Sequence, residues 1–239
     1  MRKSIHFLIA VLALLLISCA GKPPLEKLKK ELNKYPEYSI ILEDMNEEGA
    51  LFKDYYHRYK IIVGQETGAG DSLAYETTIT DWLKVSKKDF RKYYNYLGMV
   101  IASKTRDGGV VDTPYPPGYQ YVGNPRYGRW RQDSSGNSFW EWYGKFAFMG
   151  YMFGMFGRPI YRSDWTDYRS YRSRGQPYFG RNREYGTAGK YTKQTNKSFF
   201  QRRQQREAAR KQKFAEKVKR RTRRSKMSGV RRRSGGFGK

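Results

Sequence analysis

Apolar and polar positions alternate along this chain in more than one rhythm. After Pro23-Pro24, Leu25, Leu28 and Leu32 recur at spacings of three and four, which marks one face of a short helix. Proline suits a first helical turn, and Tyr35-Pro36 closes the segment. Residues 38–43 (YSIILE) read as a strand, followed by a polar turn at Asn46-Glu47-Glu48-Gly49. Within residues 51–63, Tyr55, His57, Tyr59, Ile61 and Val63 share one face of a second strand. Residues 64–70 read as a loop and 73–83 (LAYETTITDWL) as a third strand. Ser86 and Asp89 have the spacing of a capping box, with Asp in place of Glu or Gln, and predict a helix from about 87 to 103. That helix should end near Asp107-Gly108-Gly109. The order is α-β-β-β-α, a small α+β domain over residues 22–107 with a modest core.

The pattern changes over residues 108–157. Pro114, Pro116, Pro117 and Pro125 interrupt regular structure, and residues 115–165 hold 16 aromatics in 51 positions, so this is an aromatic Gly/Pro-rich region. Its tryptophans Trp130, Trp140, Trp142 and Trp165 leave three readings open. The rings can pack on the α+β domain, sit at the headgroup level of a membrane, or stack on glycan. Trp130, Trp140, Trp142, Phe146 and Phe153 are the candidate interface for an envelope partner. Residues 146–156 (FAFMGYMFGMF) form an apolar run of 11, short of the ~20 that span a bilayer. Gly150 and Gly154 give it a G-x-x-x-G spacing.

Beyond residue 157 the chain is Arg/Lys-rich and of low complexity. Residues 158–197 contain the small repeat Tyr168-Arg169-Ser170, Tyr171-Arg172-Ser173. They hold too few aliphatic side chains to offset chain entropy, so disorder is expected. Residues 198–226 are rich in good helix formers, with Ser198 and Gln201 as a capping box and Phe200, Phe214 and Val218 as large apolar residues. A helix is expected there, at least in a bound state, and the Gly/Arg/Ser-rich residues 229–239 should be disordered.

Charge sharpens this division. The chain carries 48 Lys+Arg against 22 Asp+Glu, a net +26. Residues 19–157 are nearly balanced at +2, whereas 158–239 carry +22. The basic candidates are Arg202, Arg203, Lys217, Lys219, Arg220, Arg221, Arg223, Arg224, Arg231, Arg232 and Arg233. Each cation near an anionic membrane contributes ~1 kcal/mol within a Debye length of ~8 Å. Arginine favours bidentate pairing with phosphate or carboxylate. The plainer reading is a solvated polycation without a dedicated ligand.

The first residues set the compartment. Met1-Arg2-Lys3 is a positive start, residues 5–17 are an almost continuous apolar run, and Ser18 and Ala20 are small, the three parts of a secretory signal. Leu16-Ile17-Ser18-Cys19 resembles the lipobox of bacterial lipoproteins. The resemblance implies removal of residues 1–18, a lipidated N-terminus at 19–21, and diacylglycerol and an acyl chain such as palmitate on Cys19. Ala20 in place of an aspartate implies an outer-membrane destination if the source is Gram-negative.

Little else carries chemistry. Cys19 is the only cysteine, so no intrachain disulfide and no Cys-rich zinc site can form. His6 and His57 are the only histidines, and His57 reads as a half-buried strand residue. The glycines at 64, 68 and 70 lack the Gly-Lys-Ser/Thr of a phosphate loop. Asp44-x-Asn46-x-Glu48-Gly49 starts like a calcium loop, but Tyr55 stands where its bidentate glutamate belongs, so it reads as a turn. The expectation is a non-enzymatic envelope lipoprotein with no catalytic residue, cofactor or metal. Its partners would be the membrane through the lipid, anionic wall polymers or lipids through the tail, and an envelope protein. Nucleic acid is expected only if the signal peptide goes unused. A hydrolase would need a cleft lined by carboxylates.

Overall fold

The computed structural model describes residues 22–49, 52–67, 73–106, 109–155 and 158–231, with side chains up to residue 223. Helix α1 (Pro24–Leu32) has Pro23 as its N-cap and buries Leu25, Leu28 and Leu32, the three residues that the spacing selects. Strands β1 (Glu37–Glu48) and β2 (Asp54–Glu66) form a long antiparallel pair from Glu37 opposite Gly64 to Glu48 opposite Asp54, with a register shift between Leu42 and Asp44. Strand β1 runs straight through the turn expected at Asn46-Glu47-Glu48. The chain leaves the ladder at Gly49, whose φ of 91° suits glycine. The segment that starts like a calcium loop is therefore strand.

The expected third strand divides into β3 (Leu73–Ile79) and β4 (Leu83–Val85), which both pair with β2. Ser86 caps helix α2 (Lys87–Tyr93): its Oγ accepts the Asp89 amide at 3.0 Å and donates to Asp89 Oδ2 at 2.6 Å. The helix is shorter than its apolar pattern suggests. After a 3-10 turn (Tyr94–Tyr96) the chain reverses at Gly98, and Val100–Lys104 is strand β5, paired with β1. The β-branched pair Val100-Ile101 suits that pleat, and tertiary pairing outweighs helix propensity. With β6 (Val110–Val111) the antiparallel sheet has the order β3-β2-β1-β5-β6, with β4 beside β2. The fold class is α+β, but with more strands than α-β-β-β-α.

Both faces of the sheet are covered. Tyr38, Ile40 and Leu42 of β1, with His57, Tyr59 and Ile61 of β2, share the face of the two helices by register. Phe90 of α2 stacks on His57 at 5.6 Å there, and Tyr59 lines a small cleft with residues of α1 and α2. The opposite face carries Glu37, Ser39, Ile41 and Ile62. There Ile41, Ile62 and Val100 pack under an aromatic layer that includes Tyr115, Tyr119, Tyr121, Tyr127, Trp140 and Phe153. Burial on two faces explains why Ile40, Ile41 and Leu42 of β1 are apolar in succession rather than in alternation.

The aromatic layer is a second tier of the same core. Strands β7 (Gly128–Gln132) and β8 (Ser138–Trp142) form a hairpin with Trp130 opposite Trp140. A 3-10 turn (Gly144–Phe146) and helix α3 (Phe148–Met152) follow, and Met149, Phe153 and Met155 enter the cluster. Part of the apolar run is thus core, while Phe148 and Tyr151 stay exposed. Its Gly150 and Gly154 do not share a helix, because α3 stops at Met152 and Gly154 has φ 68°.

Residues 158–196 are folded, against the expectation of disorder. They hold helices α4 (Arg162–Ser173) and α5 (Lys190–Thr195), and they bury Ile160, Tyr168, Tyr178 and Tyr185. Tyrosines supply the burial that aliphatic residues lack, and arginines lie over their neighbours' rings. Arg158 sits 4.3 Å from the Tyr191 centroid, Arg169 4.9 Å from Trp165 and Arg162 5.6 Å from Trp130. Gly123, at φ 84°, admits the Trp165 ring where a Cβ would stand 2.3 Å from it. The Thr187 amide donates to Asn95 O at 3.1 Å, and Asn196 Nδ2 donates to Glu43 O at 2.8 Å, which ties the segment back to the first half.

The described residues up to Asn196 make one compact unit, and the chain from Lys197 makes a second. The break in packing falls there rather than at 107 or 157. Helix α6 (Lys197–Arg231) begins one residue before Ser198, which therefore lies within the first turn instead of capping it. It also extends through Gly229, where disorder was expected. No helix among the described residues is long and apolar enough to cross a membrane.

Candidate functional site

Helix α6 sorts its charges by position. At about 100° per residue, Arg202, Arg206, Arg210, Lys213, Lys217 and Arg220 fall within about 80° of one another. Their spacings of four, four, three, four and three stay near 3.5, so the row runs almost parallel to the axis. The same spacing continues to Arg224 in the sequence, a length of roughly 33 Å from Arg202 at 1.5 Å per residue. Like charges at such spacings repel and weaken an isolated helix. An anion laid along the row would remove that repulsion.

Of the residues singled out in the sequence, Arg202, Lys217 and Arg220 lie in this row. Arg203 and Arg221 border it, and Arg203 Nε donates to Glu207 Oε1 at 2.9 Å. Lys219 and Arg223 fall outside it. Arg224 and Arg231 belong to α6 by backbone, while Arg232 and Arg233 lie outside the described residues, as do Cys19 and its lipobox. Arg206, Arg210 and Lys213 complete the row and were missed, although their spacing was readable. Phe214 (70% exposed) and Val218 (48%) lie four residues apart beside it.

The candidate aromatic interface is corrected by packing. Trp140 and Phe153 are buried, and Trp130, Trp142 and Phe146 are partly buried against the same cluster. Trp130 lies 5.1 Å from Trp140 and 5.5 Å from Trp165, and Phe146 lies 5.0 Å from Tyr127. These rings meet each other, so much of their surface is unavailable to a partner.

A polar network that sequence reading missed lies between sheet and aromatic layer. Glu37 is 1% exposed, and its two carboxylate oxygens accept the hydroxyls of Tyr127 (2.6 Å) and Tyr75 (2.8 Å). Burial, with the carboxylate adding to it, pushes both phenols far above their ordinary range and keeps them donors. Nearby, Tyr115 donates to Gln120 Oε1 at 2.6 Å, and Gln120 Nε2 donates to Ser39 Oγ at 2.5 Å. A cavity of about 210 Å³ opens beside them, lined by Glu37, Thr105, Gln120, Tyr121, Asn124, Tyr127 and Arg172. The available signal was Glu37 and Ser39 at a spacing of two, next to the apolar Tyr38 and Ile40-Ile41-Leu42.

His57 is fully buried rather than half-buried. Its Nδ1 lies 3.0 Å from Tyr59 Oη, and Nε2 has no partner. Desolvation lowers its pKa to about 4, with Asp89 opposing weakly. It is a neutral packing residue. Among the described residues, no group of three or more His, Cys, Asp or Glu is placed to hold a metal ion.

No known protein family matches the chain, and no solved structure matches it. A glucose oxidase from Aspergillus carbonarius (strain ITEM 5010) is similar over 48 residues at 42% identity. That stretch is 20% of this chain and 8% of the oxidase, and so small a share assigns no family.

Proposed function

We propose that this is a lipid-anchored bacterial envelope protein, without catalytic activity, whose C-terminal helix binds phosphate-bearing polyanions. The observation that carries the reading is the single row of cations along α6. The lipobox at Leu16-Ile17-Ser18-Cys19 supports the compartment, because an acylated Cys19 would hold the chain at a membrane surface. Two acyl chains at ~0.8 kcal/mol per buried methylene anchor stably where one does not. Each engaged cation would add on the order of 1 kcal/mol at an anionic surface. Bidentate arginine contacts suit phosphate, and the recognition is sequence-independent.

Co-sedimentation with phosphatidylglycerol vesicles and with isolated wall polymer, across a salt series, tests the reading. Binding should weaken steeply with salt and disappear on deletion of residues 201–239. Salt-indifferent binding, or full binding after the deletion, overturns it. Duplex DNA as a third probe shows whether the helix merely prefers any phosphate chain.

A further inference from the structure

Helix α1 carries a second basic surface, on the folded unit rather than on the tail. Residues 22–34 hold five lysines against two glutamates. Lys22, Lys27, Lys29 and Lys30 line an open cleft of about 590 Å³, with the buried Tyr38 of β1 and the exposed Val110 of β6. Lys29 is committed to the fold: its ammonium lies 2.8 Å from Asp112 and 3.3 Å from Glu26. Glu26 also lines the cleft, and Lys29 offsets its charge. Lys22, Lys27 and Lys30 have no acidic partner among the described residues, and Lys22 and Lys30 are exposed. Like charges at the spacing of Lys27 and Lys30 repel, and an anion between them would remove that repulsion.

The place of the cleft in the chain says which anion. Only Ala20 and Gly21 stand between Cys19 and Lys22. Three residue steps span at most ~11 Å, so an acylated Cys19 would keep Lys22 close to the headgroups. That reach is comparable to the ~8 Å over which a charged surface acts. Lys30 is eight residues further on, roughly 12 Å along the helix, and it reaches the same surface only when α1 lies flat on it.

We propose that α1 lies along the membrane that holds the anchor, and that its cleft takes the phosphate of an anionic phospholipid among Lys22, Lys27 and Lys30. The proposal rests on the anchor reading and is independent of the tail. Lysine meets phosphate as a point charge on a flexible stem, without the fixed fork of arginine, so the cleft selects for a net negative headgroup rather than for its shape. Three lysines are too few to recruit a free chain to a vesicle, so the cleft sets the orientation of a chain that is already anchored.

Lysine acetylation of the full lipidated chain in nanodiscs, read by mass spectrometry, tests this residue by residue. The discs hold phosphatidylcholine alone or with phosphatidylglycerol. Phosphatidylglycerol should slow the labelling of Lys22, Lys27 and Lys30 about fivefold, which is ~1 kcal/mol per lysine, relative to the exposed Lys193 of α5. Glycerol phosphate added to the phosphatidylcholine discs should not reproduce the effect. Lys30→Glu should restore the labelling of Lys22 and Lys27 and leave that of Lys213 and Lys217 in the tail unchanged. Equal labelling of the cleft lysines in both discs overturns the proposal, as does protection by glycerol phosphate or protection that survives Lys30→Glu. Intact mass separates the cleft from the anchor: without lipid on Cys19 both fall, and with lipid but no protection only the cleft falls. Protection of the cleft with none at Lys213 and Lys217 removes the tail reading and supports this one.

Discussion

Acidification should loosen the folded unit through His57. The imidazole is fully buried, stacked on Phe90 and held by Tyr59, and burial lowers its pKa from 6.5 to about 4. The unfolded chain takes up the proton first as pH falls. The stability of the neutral form is therefore complete above pH 6.5, is lost progressively as pH falls toward 4, and changes no further below that. At ~1.4 kcal/mol per pKa unit, the loss is about 3 kcal/mol, which is a large share of the stability of an ordinary domain. All five tryptophans (Trp82, Trp130, Trp140, Trp142 and Trp165) precede residue 197, so tryptophan fluorescence in urea reports this unit and not α6. His57→Phe provides the comparison. It leaves Tyr59 Oη without its partner at every pH, a constant cost of ~1–3 kcal/mol, but it removes the titration. Most carboxylate effects cancel between the two proteins. The gap between wild type and variant should shrink, or reverse, by about 3 kcal/mol from pH 7 to 4. A gap that stays constant across that range refutes the burial argument.

Other consequences follow from separate parts of the chain. Lys213→Glu with Lys217→Glu, both in the row, should weaken vesicle binding far more than Lys219→Glu with Arg223→Glu, although the net charge change is the same; equal losses would show that charge number alone matters. Cys19→Ala should abolish lipid labelling and release the protein from membranes, and persistent labelling would refute the anchor assignment. Gly123→Ala forces a Cβ against the Trp165 ring at a positive φ, and should lower stability by about 1–3 kcal/mol in urea unfolding. Ser86→Ala removes the cap of α2 and should cost ~1 kcal/mol in the same assay.

The first half of the fold was legible because its signals are local. Leu25, Leu28 and Leu32, the alternation from Tyr55 to Val63 and the Ser86 cap are each decided within a few residues, and the structure uses each as read. The errors came where distant partners decide. Val100–Lys104 continues a helical pattern by sequence, yet β1 offers it an open edge. Glu47 and Glu48 look like turn residues, yet Tyr55 and Asp54 pair with them. In the candidate sites, the row on α6 was readable from spacing but was obscured by choosing the densest clusters. The Glu37 network was not readable, since Tyr75 and Tyr127 reach Glu37 only once the sheet is paired and the aromatic layer folds onto it.

The aromatic content separates two segments that charge alone had merged. Residues 158–196 and 197–239 are both basic and both poor in aliphatic residues. The first holds eight aromatics in 39 positions, and the second holds four in 43. Tyr168, Tyr178 and Tyr185 are buried and four more rings of the first segment are partly so, and a fully buried ring removes ~150–250 Å² from water, which helps to offset the ordering of that segment. The first therefore folds, with several of its arginines lying over rings, and it accounts for +6 of the +22 beyond residue 157. The remaining +16 belongs to residues 197–239, where the described side chains of α6 are mostly exposed. An arginine over a ring inside a packed unit cannot also reach a phosphate chain without giving up that contact. The proposed polyanion is thus to be sought on α6 rather than at the arginines of residues 158–196 that lie over rings.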